Sequence, residues 1–492
     1  MCSNKTYVTE RTMCRMEWLP LEMVRLIAEN LTAKDLSACI AVSVSWRNIF
    51  NQDSLWKPHC NISIADYLET AECQVQPGFV SPVMENKTLS PICHWRMCFM
   101  RENHLFKNWR EIRYVVNKVD IKCSSTFFYT FISHDYVIEF TSTRAMLWDV
   151  RNNPVYLRDP FCLPFDFIVN WCGMISDNIF CVVQGRCVQV YHFNTIFDDK
   201  WDLKHMFFVN EDEMLSRSDS EMSRLWLLLR HMLIIGNILV GCDDEDGDRG
   251  VLHVWNIEEG KKLRRIDCTM ISDSHTKIHR LVKSEKLSLD FVIILETELI
   301  QQIRYSLKGY SLKELDFSKF NASHDMSLYL TEGSFDCVLQ DRFVAITFCG
   351  FIYVYNYLTS QLVATSAPTH SLSAHYNFNV FSIGDRILFS EDRKLNMIFN
   401  TNTLLITSLI VNNEPEECVF VKSLSSNLFI TRNGMKFSLW EMGRHIRFDS
   451  VTCLNSLALF PNCFSYFEVN KSCTKLALND FSKNYFIIAS FW

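Results

Sequence analysis

At 492 residues the chain exceeds what one hydrophobic core organises, so two domains, or one large repeat array with an appendage, are expected. Glycine is scarce, 14 residues where the average usage of about 7% would supply more than twice as many, so flexible linkers take up little of the chain. A formal charge of −7 provides no basic face for nucleic acid and sets that class of partner aside.

The opening MCSNKTYVTERTMCRMEWLP lacks the apolar stretch of a signal peptide, and the 20 cysteines are scattered without a C-x-x-C pair. They read as reduced thiols of a cytoplasmic or nuclear protein. After Pro20, which suits a first helical turn, Met23, Ile27 and Leu31 recur at helical spacing with Leu26 beside them. Leu21, Val24 and Ala28 make a second stripe, leaving Glu22, Arg25 and Glu29 for water. Thr32 followed by Asp35 predicts a capping box opening a second helix through Leu36, Cys39 and Ile40. A third helix is expected from Ser43, carrying Trp46, Ile49 and Phe50. Three such short helices cannot bury two apolar faces each, so one face is expected to meet a partner.

Leu19-Pro20-x-Glu22, Ile27, Leu31, Asp35-Leu36, Val42-Ser43, Trp46-Arg47 and Leu55-Trp56 resemble the F-box at its usual spacing. The resemblance covers about forty residues, under a tenth of the chain. It implies docking on a Skp-type adaptor, and through it on a cullin, with the rest of the chain holding a target protein. It further implies that Leu19, Pro20, Leu31, Val42, Trp46 and Trp56 lie on or beside the adaptor interface.

Residues 60–80 show no clear period, and Pro77-Gly78, Pro82 and Pro91 mark a loop, so local disorder is expected there. Ile92, Trp95, Phe99, Leu105, Phe106 and Trp109 then predict a connecting helix. Cys93, His94, Cys98 and His104 fall within it, but their spacing matches no common zinc pattern, and no metal or other cofactor is expected. The division is thus a tail over 1–14, the F-box over 15–60, a linker with connecting helix over 61–110, and a repeat region over 111–492.

From residue 111 short β-like runs recur. The clearest, NILVGCDDEDGDRGVLHVWNIEEGKKLRRI, reads strand, polar turn, strand ending in Trp-Asn, turn, strand. Aromatic marks late in the third strands fall at Trp148, Tyr191, Trp255, Tyr305, Tyr355, Phe399, Trp440 and Phe491, mostly 41 to 51 residues apart; the long interval before Trp255 holds the insertion DEMLSRSDSEMSR. This resembles a divergent WD-repeat, in which four strands build each blade of a β-propeller. Only Trp148-Asp149 keeps the signature dipeptide, with Trp255-Asn256 and Trp440-Glu441 near it. The fold class is therefore multidomain: a small all-α three-helix unit plus connecting helix, followed by an all-β propeller of eight blades, seven being the alternative count. EIRYVVNKVD supplies a spare strand that would complete the last blade and remove a free sheet edge. LWLLLRHMLIIGNILVG, interrupted by Arg230 and His231, is short for a membrane span and reads as buried strands, so no membrane partner is expected.

The turns between second and third strands carry Arg144, Arg186, Arg249, Arg393 and Arg432. In register they would ring one mouth of the propeller and grip carboxylates or a phosphorylated peptide bidentately. Phosphate-loop, zinc-protease and serine-hydrolase motifs are absent from the sequence. The leading expectation is a non-catalytic receptor subunit of an SCF-type ubiquitin ligase. The alternative is a propeller scaffold that binds partners without ubiquitin transfer, and an enzymatic propeller with a ligand in its channel is the third.

Overall fold

The computed structural model describes residues 19–75 and 92–120 and, between 128 and 492, all but the stretches 132–133, 141–143, 158–160, 163–168, 177–178, 186, 194–200, 209–229, 246–248, 269–275, 284–289, 300–301, 328–334, 349–350, 367–377, 392–393, 413–418, 434–435, 445–448, 458–465 and 480–484. The chain divides into two compact units. One is helical, holding the described residues up to Val115 together with Lys471–Lys475 and Ser490–Trp492; the other holds the rest.

The helical unit opens with α1 (Leu21–Ala28), α2 (Ala33–Val42) and α3 (Val44–Phe50). Thr32 caps α2 through the predicted box: its hydroxyl accepts from Asp35 N at 3.2 Å while the Asp35 carboxylate accepts from Thr32 N at 3.0 Å. Ser43 caps α3 by accepting from Trp46 N at 3.1 Å. A short turn, α4 (Asp53–Trp56), follows, then α5 (Ile62–Thr70) and α6 (His94–Arg110). The helix at 62–70 corrects the expectation of local disorder there. Ile64, Ala65 and Leu68 make a buried stripe too short to stand out in the sequence.

The connecting helix α6 is held at its C-terminal end by residues from far along the chain. Trp109 stacks on Phe491 with centroids 3.5 Å apart and donates its indole N–H to Cys473 O at 2.7 Å. Asn108 Nδ2 donates to Phe491 O at 3.0 Å, and Trp492 Nε1 to Ala71 O at 3.1 Å. The Trp109 and Asn108 N–H groups are buried with their partners, as buried polar groups require.

The second unit is an eight-bladed β-propeller. Blade 1 combines Tyr466–Val469, Lys475–Asn479 and Tyr485–Ser490 with Val115–Asp120 as its outer strand, the predicted closure. Blades 2 to 8 follow as antiparallel strands beginning at Phe128, Val169, Arg230, Thr276, Phe335, Phe378 and Val419. One backbone bond repeats late in the third strand or just after it: Val150 N to Asp135 O, Ile257 N to Asn237 O, Tyr357 N to Arg342 O, Thr401 N to Asp385 O, Met442 N to Asn427 O and Phe491 N to Thr474 O.

Register corrects two of the aromatic marks. Trp148, Tyr191, Trp255, Tyr355, Phe399 and Trp440 each face the second residue of the second strand, from Val137 to Phe429. In blade 5 that place belongs to Tyr310, opposite Phe291, and not to Tyr305. In blade 1 the repeated bond puts Phe491 two residues past it. The next residue in the chain explains the dipeptide chemistry. Asn256 Oδ1 accepts from Glu258 N and Glu259 N, Asn356 Oδ1 from Leu358 N and Thr359 N, and Asn400 Oδ1 from Asn402 N and Thr403 N, all between 2.9 and 3.3 Å. Asparagine thus does the turn-capping work of the signature Asp, so Tyr355-Asn356 and Phe399-Asn400 are further copies hidden by substitution.

Polar clasps join neighbouring blades at their inner strands. Glu468 Oε2 accepts from Phe131 N at 3.1 Å, and Lys422 Nζ donates to Val469 O and Asn470 O at 3.0 Å. Asp336 Oδ2 accepts from Val380 N at 2.9 Å.

Candidate functional site

In α1 the stripe that turns inward is Val24 and Ala28, packed with Leu36, Ile40, Phe50, Leu55 and Trp56. The other stripe faces out: Met23 is 47% and Leu26 55% exposed, with Leu19 and Pro20 exposed ahead of them. At the junction of α2 and α3, Val42 and Val44 are 63% and 64% exposed. The small helical unit thus leaves several large apolar side chains in water, a candidate docking face. Leu31 and Trp46 are half-buried at the margin of the core, Trp46 tilting against Phe50 at 5.6 Å.

Trp56 is corrected. It is 1% exposed, donates its indole N–H to Phe50 O at 2.9 Å and lies against Phe99 at 5.4 Å, so it offers a partner no surface and holds the unit from within. The exposed Met23 and Leu26 were missed as candidate site residues: they were legible as a stripe, but which stripe turns outward depends on where α2 and α3 pack.

The propeller mouth formed by the turns between second and third strands is described in part. Arg144 is exposed at the start of the third strand of blade 2, and Arg432 is half-buried on the second strand of blade 8. Arg249 pairs through its backbone with Glu245 and Thr276. Arg186 and Arg393 lie outside the described residues. On the same side, blade 5 carries a group the sequence reading passed over. His279 Nδ1 and Lys277 Nζ reach Glu296 at 3.0 and 2.9 Å, and these contacts hold its carboxyl down to about 2. Lys277 also reaches the exposed Glu298 at 3.4 Å, and Arg304 pairs with Asp325 at 2.6 Å.

Residues 16–62 match the F-box-like family model. The chain carries an F-box-like segment followed by an eight-bladed propeller. Among solved structures the chain is similar to Sqt1 of Saccharomyces cerevisiae, at 12% identity over 76% of this chain and 97% of that one, TM-score 0.45. It is also similar to Hsv2p of Kluyveromyces lactis, at 10% identity over 67% and 98%, TM-score 0.39. The Pan2 WD40 domain of Neurospora crassa matches at 9% identity over 64% and 86%, TM-score 0.36. No curated protein matches the chain in sequence.

The F-box and its connecting helix share one core. Trp95 N donates to Asp53 Oδ1 at 2.9 Å and Cys93 N to Asn51 Oδ1 at 3.1 Å, tying the start of α6 to the end of the F-box. Cys60 donates to Trp95 O at 3.3 Å, and burial pushes its thiol up to about 12, far from a reactive thiolate. Cys98 and His94 are 3.7 Å apart, while His104 meets Asn108 at 3.3 Å. Among the described residues no three metal-ligating side chains gather in one place. The arrangement suits binding: an apolar face on a capped helical unit and a charged mouth on a propeller.

Proposed function

We propose that this F-box protein is the substrate receptor of an SCF-type ubiquitin ligase. The exposed apolar face of Leu19, Met23, Leu26, Val42 and Val44 docks a Skp-type adaptor, and through it a cullin. That face is the observation that carries the reading, because it lies within the residues that match the F-box-like family. The propeller mouth holds the target protein, with Arg144, Arg432 and the arginines predicted beside them gripping acidic or phosphorylated side chains. The mechanism is proximity: a bound target sits at high effective concentration near a charged ubiquitin carrier, and the receptor supplies no catalytic group. A receptor of this class works in the cytoplasm or nucleus.

The test is co-purification with a Skp-type adaptor and cullin, comparing wild type with Leu26→Asp/Val42→Asp. Loss of the complex in a variant that melts like wild type supports the reading. Retention in the variant, or no complex with wild type, overturns it. An adaptor complex that leaves the lifetime of every propeller-bound protein unchanged when the chain is depleted favours the scaffold.

A further inference from the structure

Two stretches of the propeller, NYLTSQLVATS over 356–366 and NTNTLLITSLIVN over 400–412, contain no charged residue, in a chain of which 21% is charged. Each includes the last turn and the outermost strand of its blade, Gln361–Ser366 in blade 6 and Leu405–Ser408 in blade 7. Every other blade has charge in that turn or strand: Lys118 in blade 1, Arg151 in blade 2, Lys204 in blade 3, Lys261 in blade 4, Lys319 in blade 5 and Asp449 in blade 8. Such charge is a common guard on the edge of a sheet, and two blades lack it.

The two unguarded edges are neighbours, their outermost strands running beside one another. On them Leu358 is 59%, Leu362 50%, Leu404 39% and Leu405 60% exposed. Val363, Ala364 and Ile406 turn inward against the core that blades 6 and 7 share, so the packing of the blades is served without these leucines. Leu404 also sits at φ +60°, at the turn position that Gly260 fills in blade 4. A bulky side chain in that left-handed region is strained, and one this exposed gains little from burial in return. Strain kept at an exposed leucine points to a use for its side chain outside the propeller.

We propose that the rim of blades 6 and 7 docks a second copy of this chain, the same rim meeting itself across a two-fold axis. Charge selects a copy over a different partner. A two-fold axis sets a patch against itself, so any charge near the axis meets its like, and a rim free of charge over 356–366 and 400–412 is what self-pairing demands. A different partner would allow complementary charges, and interfaces commonly use them. The area also suits a pair. The four leucines expose a few hundred Å² of apolar surface. Doubled, and with polar surface making up the usual two-fifths or so of an interface, this reaches about 1,200 Å², the small end of specific association. A reversible dimer in the micromolar range is expected. The leucines lie at the end of the blades where the third strands finish, and the mouth where those strands begin, so both mouths stay open to one doubly held target. The inference goes beyond the receptor reading and stands without it.

Sedimentation equilibrium of the full chain across the micromolar range tests this. Wild type is expected to pass from monomer to dimer as concentration rises. Leu26→Asp/Val42→Asp, which alters the exposed face of the helical unit, is expected to dimerise as wild type does, so failure here and failure of the receptor reading are separable. Leu362→Glu/Leu405→Glu and Leu362→Lys/Leu405→Lys are each expected to stay monomeric, with unchanged circular dichroism. Mixing these two variants is expected to restore a mixed dimer that dissociates at high salt, which also shows that both are folded. A wild type that stays monomeric overturns the proposal and leaves the rim to a different protein. It is overturned equally by a dimer that Leu26→Asp/Val42→Asp abolishes, by one that either rim variant retains alone, or by mixed rim variants that do not associate.

Discussion

Trp56 and Val42 do opposite work in one small unit. Trp56→Ala empties the centre of the helical core and leaves Phe50 O without its donor, a loss of about 3–5 kcal/mol expected as unfolding of the helical unit in thermal melts. Val42→Asp touches only an exposed side chain and is expected to move stability by less than about 0.5 kcal/mol while abolishing adaptor capture. Glycine matters at one turn for a separate reason. Gly260 follows the third strand of blade 4 at φ +68°, and a Cβ there would meet the His205 ring at 2.5 Å. Gly260→Ala combines backbone strain with a clash, and a loss of at least about 1–2 kcal/mol is expected in denaturant unfolding. Ser360 and Leu404 occupy the same turn position in blades 6 and 7 at φ +56° and +60° and bear that strain already.

At the scale of elements, the joint between α5 and α6 is pH-sensitive. The Glu102 carboxylate of α6 accepts from Asn61 N at 2.9 Å, and burial raises its pKa from 4.5 to about 7. Between those values the folded unit binds a proton that the unfolded chain does not. The contribution is complete below about 4.5 and is lost as pH rises through about 7. The helical unit is expected to melt lower at pH 8 than at pH 5, by a stability difference on the order of 2 kcal/mol. Glu102→Gln is expected to flatten that dependence and to melt higher than wild type at pH 8.

Elements also show how far the sequence could be read. Both caps of α2 and α3 were legible, because Thr32, Asp35 and Ser43 act on neighbours three residues away. The propeller was legible because each blade repeats one strand pattern. Tyr305 misled because two tyrosines, five residues apart, share the third strand of blade 5, and only pairing with Phe291 picks out Tyr310. Trp56 misled because a family pattern mixes residues that touch a partner with residues that hold the unit together. The outward-facing Met23 and Leu26 needed the third dimension, since helical period gives two stripes and packing decides which is wet.

For the whole molecule, the ring is completed by Val115–Asp120 as the outer strand of blade 1. Val119 is buried there with Phe486 and Ile488. Val119→Asp would place an unpaired carboxylate in that core, and a loss of at least about 3 kcal/mol is expected, read as a lowered melting temperature. The clasps of Glu468 and Lys422 on either side of blade 1 reinforce the same region.

This pairing of residue 115 onward with residue 485 onward sets an order on biosynthesis. During translation the F-box emerges first, and its short-range helices can form within microseconds of leaving the ribosome. Blades 2 to 8 can stack as they are made, but blade 1 must wait for the final strand, a contact of very long sequence separation and so a slow one. A nascent chain therefore carries its capped helices while the propeller is still an open arc, and the ring closes last.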